Sequence, residues 1–486
     1  MSALRGLQGE TTQKHLILHG FPPFRGCSPR DRPAFCFIIP AMFTRRKWLW
    51  LIPLGLVLAV GLYFLPPIHE RLAWRVDNLR TQINYYFNPP DEAVFQPSQQ
   101  QVDFDSILAT TRAEYMLTLT PPATGTPTPT RLGPTPTPTA TSMPLPGSVN
   151  LTGFRYEHQH NRWNYCGPAN FSMALNFWGW SGDRDVIGRA VMPGNTDSKG
   201  QPANADKNVM PYEFQDFISA NVPGMTSVLR YGGDIDLVKR LLAAGFPVVA
   251  EKGYFERDAL GAVTWMGHYQ FITGYDDARR EVTVQDTYND GPNFHISYDA
   301  FMNGWRSFDY VFVVVYPANR DADVMRLLGP LADENTAARI ALQRAQQESQ
   351  SLTGMDRYFA LFNEGTSQVA LDNYADAARA YDEAFTAYAQ LNSAENQRPF
   401  RMMWYQTGPY FAYFYTGRYQ DVIDLATTTL KPRPRPDLEE SLLWRGRAYS
   451  MLGQTQLAIN DYRAALKVHP NWFPAVQALQ ELGLKP

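Results

Sequence analysis

Residues 149–318 show apolar positions first at helical spacing and then at strand spacing. The helical period predicts helices with one apolar face each, at residues 169–178, 210–220 and 235–244. Apolar runs bounded by turn residues predict strands at residues 246–250, 268–275, 281–286 and 310–316. Helices followed by a mostly antiparallel sheet are typical of an α+β domain, and we expect one such domain over residues 149–318.

A second pattern fills residues 335–486, where helical periodicity continues without a strand signal. Turn positions near Leu371, Gly417 and Gly453 each separate two helical segments. This arrangement resembles tetratricopeptide repeats, although the first two copies are spaced more widely than the usual ~34 residues. The resemblance implies an all-α helical-repeat domain with a concave surface for a protein partner.

The N-terminal part contains one strongly apolar run, residues 48–65, whose length suits a single transmembrane helix. Basic residues at 45–47 favour a cytoplasmic N-terminus, because basic flanks stay inside. A cleaved signal peptide is the alternative, but the residues after the run lack a small-x-small cleavage pattern. We therefore predict a single-pass cell-membrane protein, with residues 42–67 as basic flank and anchor and the later domains extracytoplasmic.

The remaining segments connect or precede these units. Residues 1–41 show no periodicity and stay unassigned; one interpretation is that translation starts at Met42. Residues 68–119 begin with helical spacing and predict a juxtamembrane helix and linker. Residues 120–148 are rich in proline and threonine and predict an extended tether, on the order of 80 Å at full reach.

Composition narrows the possible partners and cofactors. The net charge of −3 and the absence of a basic stripe argue against nucleic-acid binding. Cys27 and Cys36 precede the predicted span, so they cannot pair with Cys166 across the membrane, and a disulfide framework is excluded. We expect neither a zinc site at Cys166 nor any cofactor, because no Cys/His cluster has ligand spacing.

Cys166 lies at the predicted start of a helix, where the helix dipole and free N–H groups favour a thiolate. His268 begins a predicted strand, and a turn then returns the chain to Asp286 at the end of the next strand. This hairpin brings His268 and Asp286 side by side. We predict Cys166 as the nucleophile, His268 as its base and acid, and Asp286 as the group that orients the ring.

An oxyanion formed by attack of Cys166 needs hydrogen-bond donors. The backbone N–H of Cys166 is one candidate, and a side-chain amide upstream is the second. Gln159, seven residues ahead, is preferred over Asn161 and Asn164, which are also within reach along the chain.

The motifs together resemble the double-glycine leader peptidases, the thirty-ninth cysteine-peptidase family, and their stand-alone relatives. The matching stretches are Asn164-Tyr165-Cys166-Gly167-Pro168-Ala169, Gly267-His268-Tyr269 and Gln285-Asp286. The resemblance covers residues 149–318 and implies a papain-like fold, with Cys166, His268 and Asp286 as the triad and Gln159 as the oxyanion residue. The glutamine is one residue farther from the cysteine than in transporter-linked members. No ATPase motif or multi-span region occurs, so leader cleavage does not carry over.

The predicted function is that of a membrane-anchored extracytoplasmic cysteine peptidase acting on a peptide or protein, with a helical-repeat domain that binds a protein partner. Two alternatives keep the same fold: a non-catalytic peptide-binding adaptor, and a thiol amidase or transferase. Trp265, close to His268, is either part of the cleft or part of the core.

Overall fold

The computed structural model describes residues 61–63, 79, 82–83, 85–87, 94–98, 144–160, 164–194, 209–257, 263–288, 290–391, 398–432 and 438–486. The predicted anchor lies outside these residues except for residues 61–63, and so do Cys27, Cys36, Asn161 and most of the tether. Within the described ranges, no helix is both long enough and apolar enough to cross a membrane.

A sheet domain and a helical domain account for most of the described chain. The strands of the sheet domain are β1 Ser148–Asn150, β2 Met225–Arg230, β3 Val248–Arg257, β4 Val263–Asp276, β5 Glu281–Gln285, β6 Phe294–Ser297 and β7 Phe312–Pro317. Its helices are α1 Cys166–Phe177, α2 Arg184–Val191, α3 Pro211–Asn221, α4 Ile235–Ala243, α5 Tyr298–Arg306 and α6 Asp321–Leu328. The helical domain contains α7 Glu334–Ser351, α8 Gly354–Ala370, α9 Tyr374–Gln390, α10 Met402–Tyr405, α11 Gly408–Tyr415, α12 Tyr419–Leu430, α13 Glu439–Met451, α14 Thr455–Val468 and α15 Phe473–Glu481.

The strands form one antiparallel sheet in the order β2-β7-β3-β4-β5-β6, and β1 pairs with the C-terminal end of β4. Apolar side chains on one face of the sheet pack against α1, α2 and α3, and those on the other face pack against α4, α5 and α6. This three-layer arrangement follows from strands that carry apolar residues on both faces. The α+β prediction for this region is confirmed.

The predicted boundary of β4 is wrong. His268 lies in the middle of β4, which begins at Val263, because the strand pairs with β3 from Arg257 back to Val248. The sequence prediction ended β3 at residue 250, since Glu251 and Lys252 interrupt its apolar run. Pairing with a neighbouring strand, rather than local hydrophobicity, extends both strands.

Trp265 belongs to the core. Its side chain is 1% exposed and its ring stacks 5.7 Å from that of Phe308. Phe359 of the helical domain lies at the same centroid distance, 5.7 Å. The tryptophan therefore joins the two domains and does not form a wall of the cleft.

The helical domain consists largely of antiparallel helix pairs, and a helical C-terminal region is confirmed. Helices α8 and α9, α11 and α12, and α13 and α14 pack against each other. The turns within these pairs place Asp372, Gly417 and Gly453 at positive φ, at 58°, 74° and 73°. These turns coincide with the predicted ones, and the tetratricopeptide assignment stays a prediction.

Buried polar contacts connect the two domains. Asn363 Nδ2 donates to the Arg306 carbonyl at 2.7 Å, and Ser367 Oγ donates to Asp309 Oδ2 at 2.7 Å. Residues 94–98, before the tether, also contact the helical domain: Ser98 Oγ donates to Asp421 Oδ2 at 2.7 Å. The helical domain is thus packed directly against the sheet domain.

Candidate active site

Cys166 is the first residue of α1, a helix that is buried from Gly167 to Asn176. Its thiol is partly buried and forms no disulfide. The side-chain amide of Asn170 donates to the Cys166 carbonyl at 2.8 Å and to the Tyr269 carbonyl at 2.9 Å. Asn170 therefore holds the first turn of α1 against β4, beside His268.

His268 is 3% exposed and lies on β4 opposite Lys252 of β3. Asp286 follows β5 directly, and Gln285 pairs with Phe271, so Asp286 lies opposite Gln270. Side chains two residues apart on a strand share a face, which places His268, Gln270 and Asp286 together. The sheet register accordingly brings His268 and Asp286 together, as the sequence predicted.

The Asp286 carboxylate is held by several groups. Its Oδ2 lies 3.2 Å from His268 Nε2, an ion-pair distance, and accepts from Gln270 Nε2 at 3.2 Å. Its Oδ1 accepts from the backbone N–H of Tyr288 at 2.8 Å and of Asp290 at 3.3 Å. Since Nε2 of the imidazole faces Asp286, Nδ1 is the nitrogen available to the thiol of Cys166.

The electrostatics of the site favour a thiolate–imidazolium pair. Burial raises the pKa of Cys166, but His268 and the N–H groups of Tyr269 and Gly167 outweigh it and lower the pKa below its usual value. Burial lowers the pKa of His268, yet contacts with Asp286 and Cys166 raise the pKa to about 9.

Asp286 shows the same competition. Burial alone would raise its pKa, but His268, the Tyr288 N–H and Gln270 hold the pKa of this carboxyl well below its ordinary range. The aspartate is therefore charged at neutral pH, as a partner for an imidazolium must be. Buried charges of this kind persist only when they are paired and hydrogen-bonded.

Gln159 lies beside the segment that follows Asp286. Its backbone N–H donates to the Thr287 carbonyl at 2.7 Å, and its side-chain Oε1 accepts from Thr287 Oγ1 at 2.8 Å. With Oε1 bound by Thr287, the NH₂ group is the part of the amide that can donate to a substrate oxygen. Asn164, one of the alternatives, has a left-handed backbone with φ of 50°.

Sequence reasoning missed several residues at the site. Gln270 supports Asp286, and period-2 alternation from His268 would have found it. Tyr254 places its ring 5.3 Å from the His268 ring, a contact that depends on the β3–β4 register. Glu251, opposite Tyr269, is 3% exposed, and burial followed by the charge of Cys166 raises its pKa well above the usual value.

One His/Glu cluster lies away from this site. Ligand atoms of Glu213, Glu439 and His469 all lie within 4.8 Å of one another. Glu213 accepts from the Met210 N–H at 2.8 Å, and His469 Nδ1 lies 3.2 Å from Glu439 Oε1. The first contact caps α3, and the second lies within the helical domain. His469 Nδ1 also lies 4.0 Å from Glu213 Oε1, and this contact joins α3 to the helical domain.

Residues 151–312 match the Peptidase_C39 like family. No curated protein matches the chain. Among solved structures, a chain described as a C39-like peptidase from Bacillus anthracis is 16% identical, with a TM-score of 0.28, and the match covers 35% of this chain and 97% of that one. Xylellain, a cysteine protease from Xylella fastidiosa, is 17% identical, with a TM-score of 0.26, covering 36% of this chain and 87% of its own.

The family match covers the sheet domain from the end of β1 to the start of β7 and includes Cys166, His268 and Asp286. The prediction of a papain-like cysteine peptidase domain is thereby confirmed at the level of the family. The similarity of the sheet domain to this family supports a peptidase-type function. The narrower double-glycine assignment stays a prediction.

Proposed function

We propose that this chain is a cysteine peptidase in which Cys166, His268 and Asp286 form the catalytic triad. The observation that carries the proposal is the position of a partly buried thiol at a helix N-terminus, with its pKa lowered by a buried histidine that is itself paired with a carboxylate. Activated thiols in clefts are typical of nucleophilic catalysis. A structural cysteine needs no such partners.

The reaction follows from these positions. The thiolate of Cys166 attacks the carbonyl carbon of a peptide bond, and the carbonyl oxygen becomes an oxyanion. His268 gives its proton to the amide nitrogen, and the C–N bond breaks. The amine departs, and the acyl group stays on Cys166 as a thioester. His268 then takes a proton from water, and the hydroxide attacks the thioester, which releases the carboxylic acid and restores the thiolate of Cys166 beside the imidazolium.

Three groups stabilise the charges that form along this path. Asp286 keeps the imidazolium oriented and lowers its energy while it holds the proton. The backbone N–H of Cys166 and the amide of Gln159 donate to the oxyanion. The bond from Thr287 to Gln159 Oε1 supports this assignment, because it orients the amide through its oxygen.

The rest of the proposal concerns location and partners. An N-terminal membrane anchor over residues 48–65 would hold the peptidase outside the cytoplasm, on the tether of residues 120–148. The helical domain would also bind a protein partner, as helical-repeat surfaces do. Resolution of the thioester by an amine in place of water would make the enzyme a transferase with the same residues.

The first experiment measures the reactivity of Cys166. The full-length chain should react with iodoacetamide at Cys166 at neutral pH, and His268→Ala should slow the reaction. His295→Ala is the matched control, since this histidine lies on β6 of the same sheet with a half-exposed ring. Equal rates in the wild type and the His268 variant would contradict the activated pair.

A second experiment identifies the reaction. The wild type and Cys166→Ala are incubated with a peptide library, with and without a competing amine, and products are read by mass spectrometry. Cleavage that requires Cys166 supports the peptidase, and amine-capped products support the transferase. Binding without any product would favour the peptide-binding adaptor.

A further inference from the structure

The N-terminal half of β4 has one edge that no strand covers among the described residues. β5 pairs with β4 only between Phe271 and Asp276, whereas β3 pairs with the opposite edge from Val263 to Ile272. On the uncovered edge, the Tyr269 carbonyl accepts from Asn170, and its N–H faces the Cys166 thiol. This edge therefore leads directly to the nucleophile.

Backbone groups of an antiparallel strand point to alternate edges. Residues 265 and 267 consequently present their N–H and C=O groups on the same edge as Tyr269. Gly267 precedes Tyr269 by two residues, so its N–H lies about 7 Å along the strand from the group that faces the thiol. An extended peptide bound at Cys166 would use this stretch if it added to the sheet as a strand.

The helical domain already covers this stretch. Arg401, which is 6% exposed, donates from Nη1 to Thr264 Oγ1 at 2.7 Å and to the Trp265 carbonyl at 3.2 Å. The ring of Tyr405, at the end of α10, approaches so closely that a Cβ on Gly267 would lie 3.0 Å from its Cε1. The absence of a side chain at Gly267 allows this approach over one face of the strand. On the uncovered edge itself, the backbone N–H of Gly267 faces the Tyr405 hydroxyl.

Tyr405 is held firmly in this position. Its ring lies 5.8 Å from that of Trp265 and 5.7 Å from that of Phe308. The next residue, Gln406, donates to the Ser307 carbonyl at 2.7 Å. Burial raises the pKa of Tyr405, and the charge of Cys166 adds to the increase, which places this side chain within the electrostatic reach of the thiol.

We propose that Tyr405 is a specificity-determining residue, because its ring closes the uncovered edge of β4 and limits how far a substrate can extend along it. The inference rests on the proposed peptidase function and gives its substrate class. The cleft accepts peptides that end, or turn away from the sheet, within a few residues on that side of the reacting carbonyl. The helical domain is then part of the active site as well as a surface for partners.

The test measures how probe length affects alkylation of Cys166 in the full-length chain. Iodoacetamide is compared with iodoacetyl peptides of increasing length in the wild type, Tyr405→Ala and Tyr405→Phe. We expect Tyr405→Ala to raise the ratio of long-probe to short-probe rate about tenfold, the order by which one side chain changes discrimination in a pocket. Tyr405→Phe should keep the wild-type ratio, because the ring remains.

Tyr449→Ala is the matched control, since Tyr449 is a partly buried tyrosine of α13 that packs within the helical domain. Tyr405→Leu replaces the alanine variant if that variant does not fold. An unchanged length ratio in Tyr405→Ala, or in Tyr405→Leu where it replaces the alanine variant, overturns the inference, and so does an equal change in Tyr449→Ala.

The same variants are then assayed for peptide cleavage. If the wild type cleaves no peptide but the effect of Tyr405→Ala on probe length is present, the peptidase proposal is refuted and the inference about the closed edge is retained. Cleavage with an unchanged length profile in Tyr405→Ala would refute the closed edge and leave the peptidase standing.

Discussion

The two halves of β4 serve different purposes. From Phe271 to Asp276 the strand has strand neighbours on both edges, and Phe271, Ile272 and Tyr275 are buried in apolar layers. From Val263 to Gln270 it pairs with β3 alone among the described residues, and its other edge meets α1 and the helical domain. The proposed catalytic side chains thus lie where β4 has a strand neighbour on one edge only and leaves backbone groups for other partners.

The C-terminal half of β4 contributes mainly to stability, and the N-terminal half carries the groups proposed for function. The C-terminal half buries apolar area, which favours folding. The N-terminal half buries His268 and pairs with the stretch of β3 that buries Glu251 and Lys252, and such ionisable groups oppose folding unless they are paired. Substitutions in the two halves should therefore separate activity from stability.

The largest effect is expected from His268→Ala, in the half without a second strand neighbour. Loss of the base and acid should lower kcat/KM by about 10²–10⁴-fold, measured with a cleaved peptide from the library. Tyr275→Phe, in the other half, removes only a hydroxyl that donates to the Pro146 carbonyl at 2.6 Å. A decrease in kcat/KM of less than about tenfold in His268→Ala would argue against a role of His268 in proton transfer.

Gln159→Ala should have the next largest effect on activity. Removal of an oxyanion donor lowers kcat by about 10²–10³-fold with little change in KM. Thr287→Val is the companion variant, because it removes only the hydrogen bond that orients Gln159. The decrease in kcat should be smaller in Thr287→Val than in Gln159→Ala. If Thr287→Val and Gln159→Ala lower kcat equally, the glutamine acts through structure rather than as a donor.

Ile272→Ala tests the C-terminal half of β4, which has strand neighbours on both edges, and the measured quantity is stability. Ile272 is fully buried, and the truncation should lower the free energy of unfolding by about 2–5 kcal/mol. The rate at which folded protein reacts with iodoacetamide at Cys166 should not change. Denaturant unfolding followed by fluorescence gives the first quantity, and a large change in alkylation rate would show that the two halves are coupled.

The sequence was sufficient for the parts of the site that are local along the chain. Cys166 at a helix start, and His268 and Asp286 around one hairpin, are signalled by short motifs and by strand spacing. The position of His268 in the middle of β4 is not signalled in this way. Glu251 and Lys252 interrupt the apolar run of β3, so the sequence does not indicate that β3 continues and pairs with this part of β4. Arg401 and Thr264, 137 residues apart, carry no local signal of their contact, so the covered edge of β4 needed the structure.

The smallest expected effect is a shift in a pH profile, and it tests the electrostatics of the N-terminal half of β4. The pKa of His268 is raised to about 9, so the protonated ring is present below that pH and is lost as pH rises through it. The kcat/KM profile should therefore decline on its alkaline side near pH 9. Asp286→Asn removes the negative charge that helps to raise this pKa, and the decline should move to lower pH. Asp277→Asn is a control on the β4–β5 turn, where the carboxylate binds Lys239 at 2.8 Å, and it should leave the profile in place. An alkaline limb that does not move in Asp286→Asn would mean that Asp286 orients the ring of His268 without setting its charge.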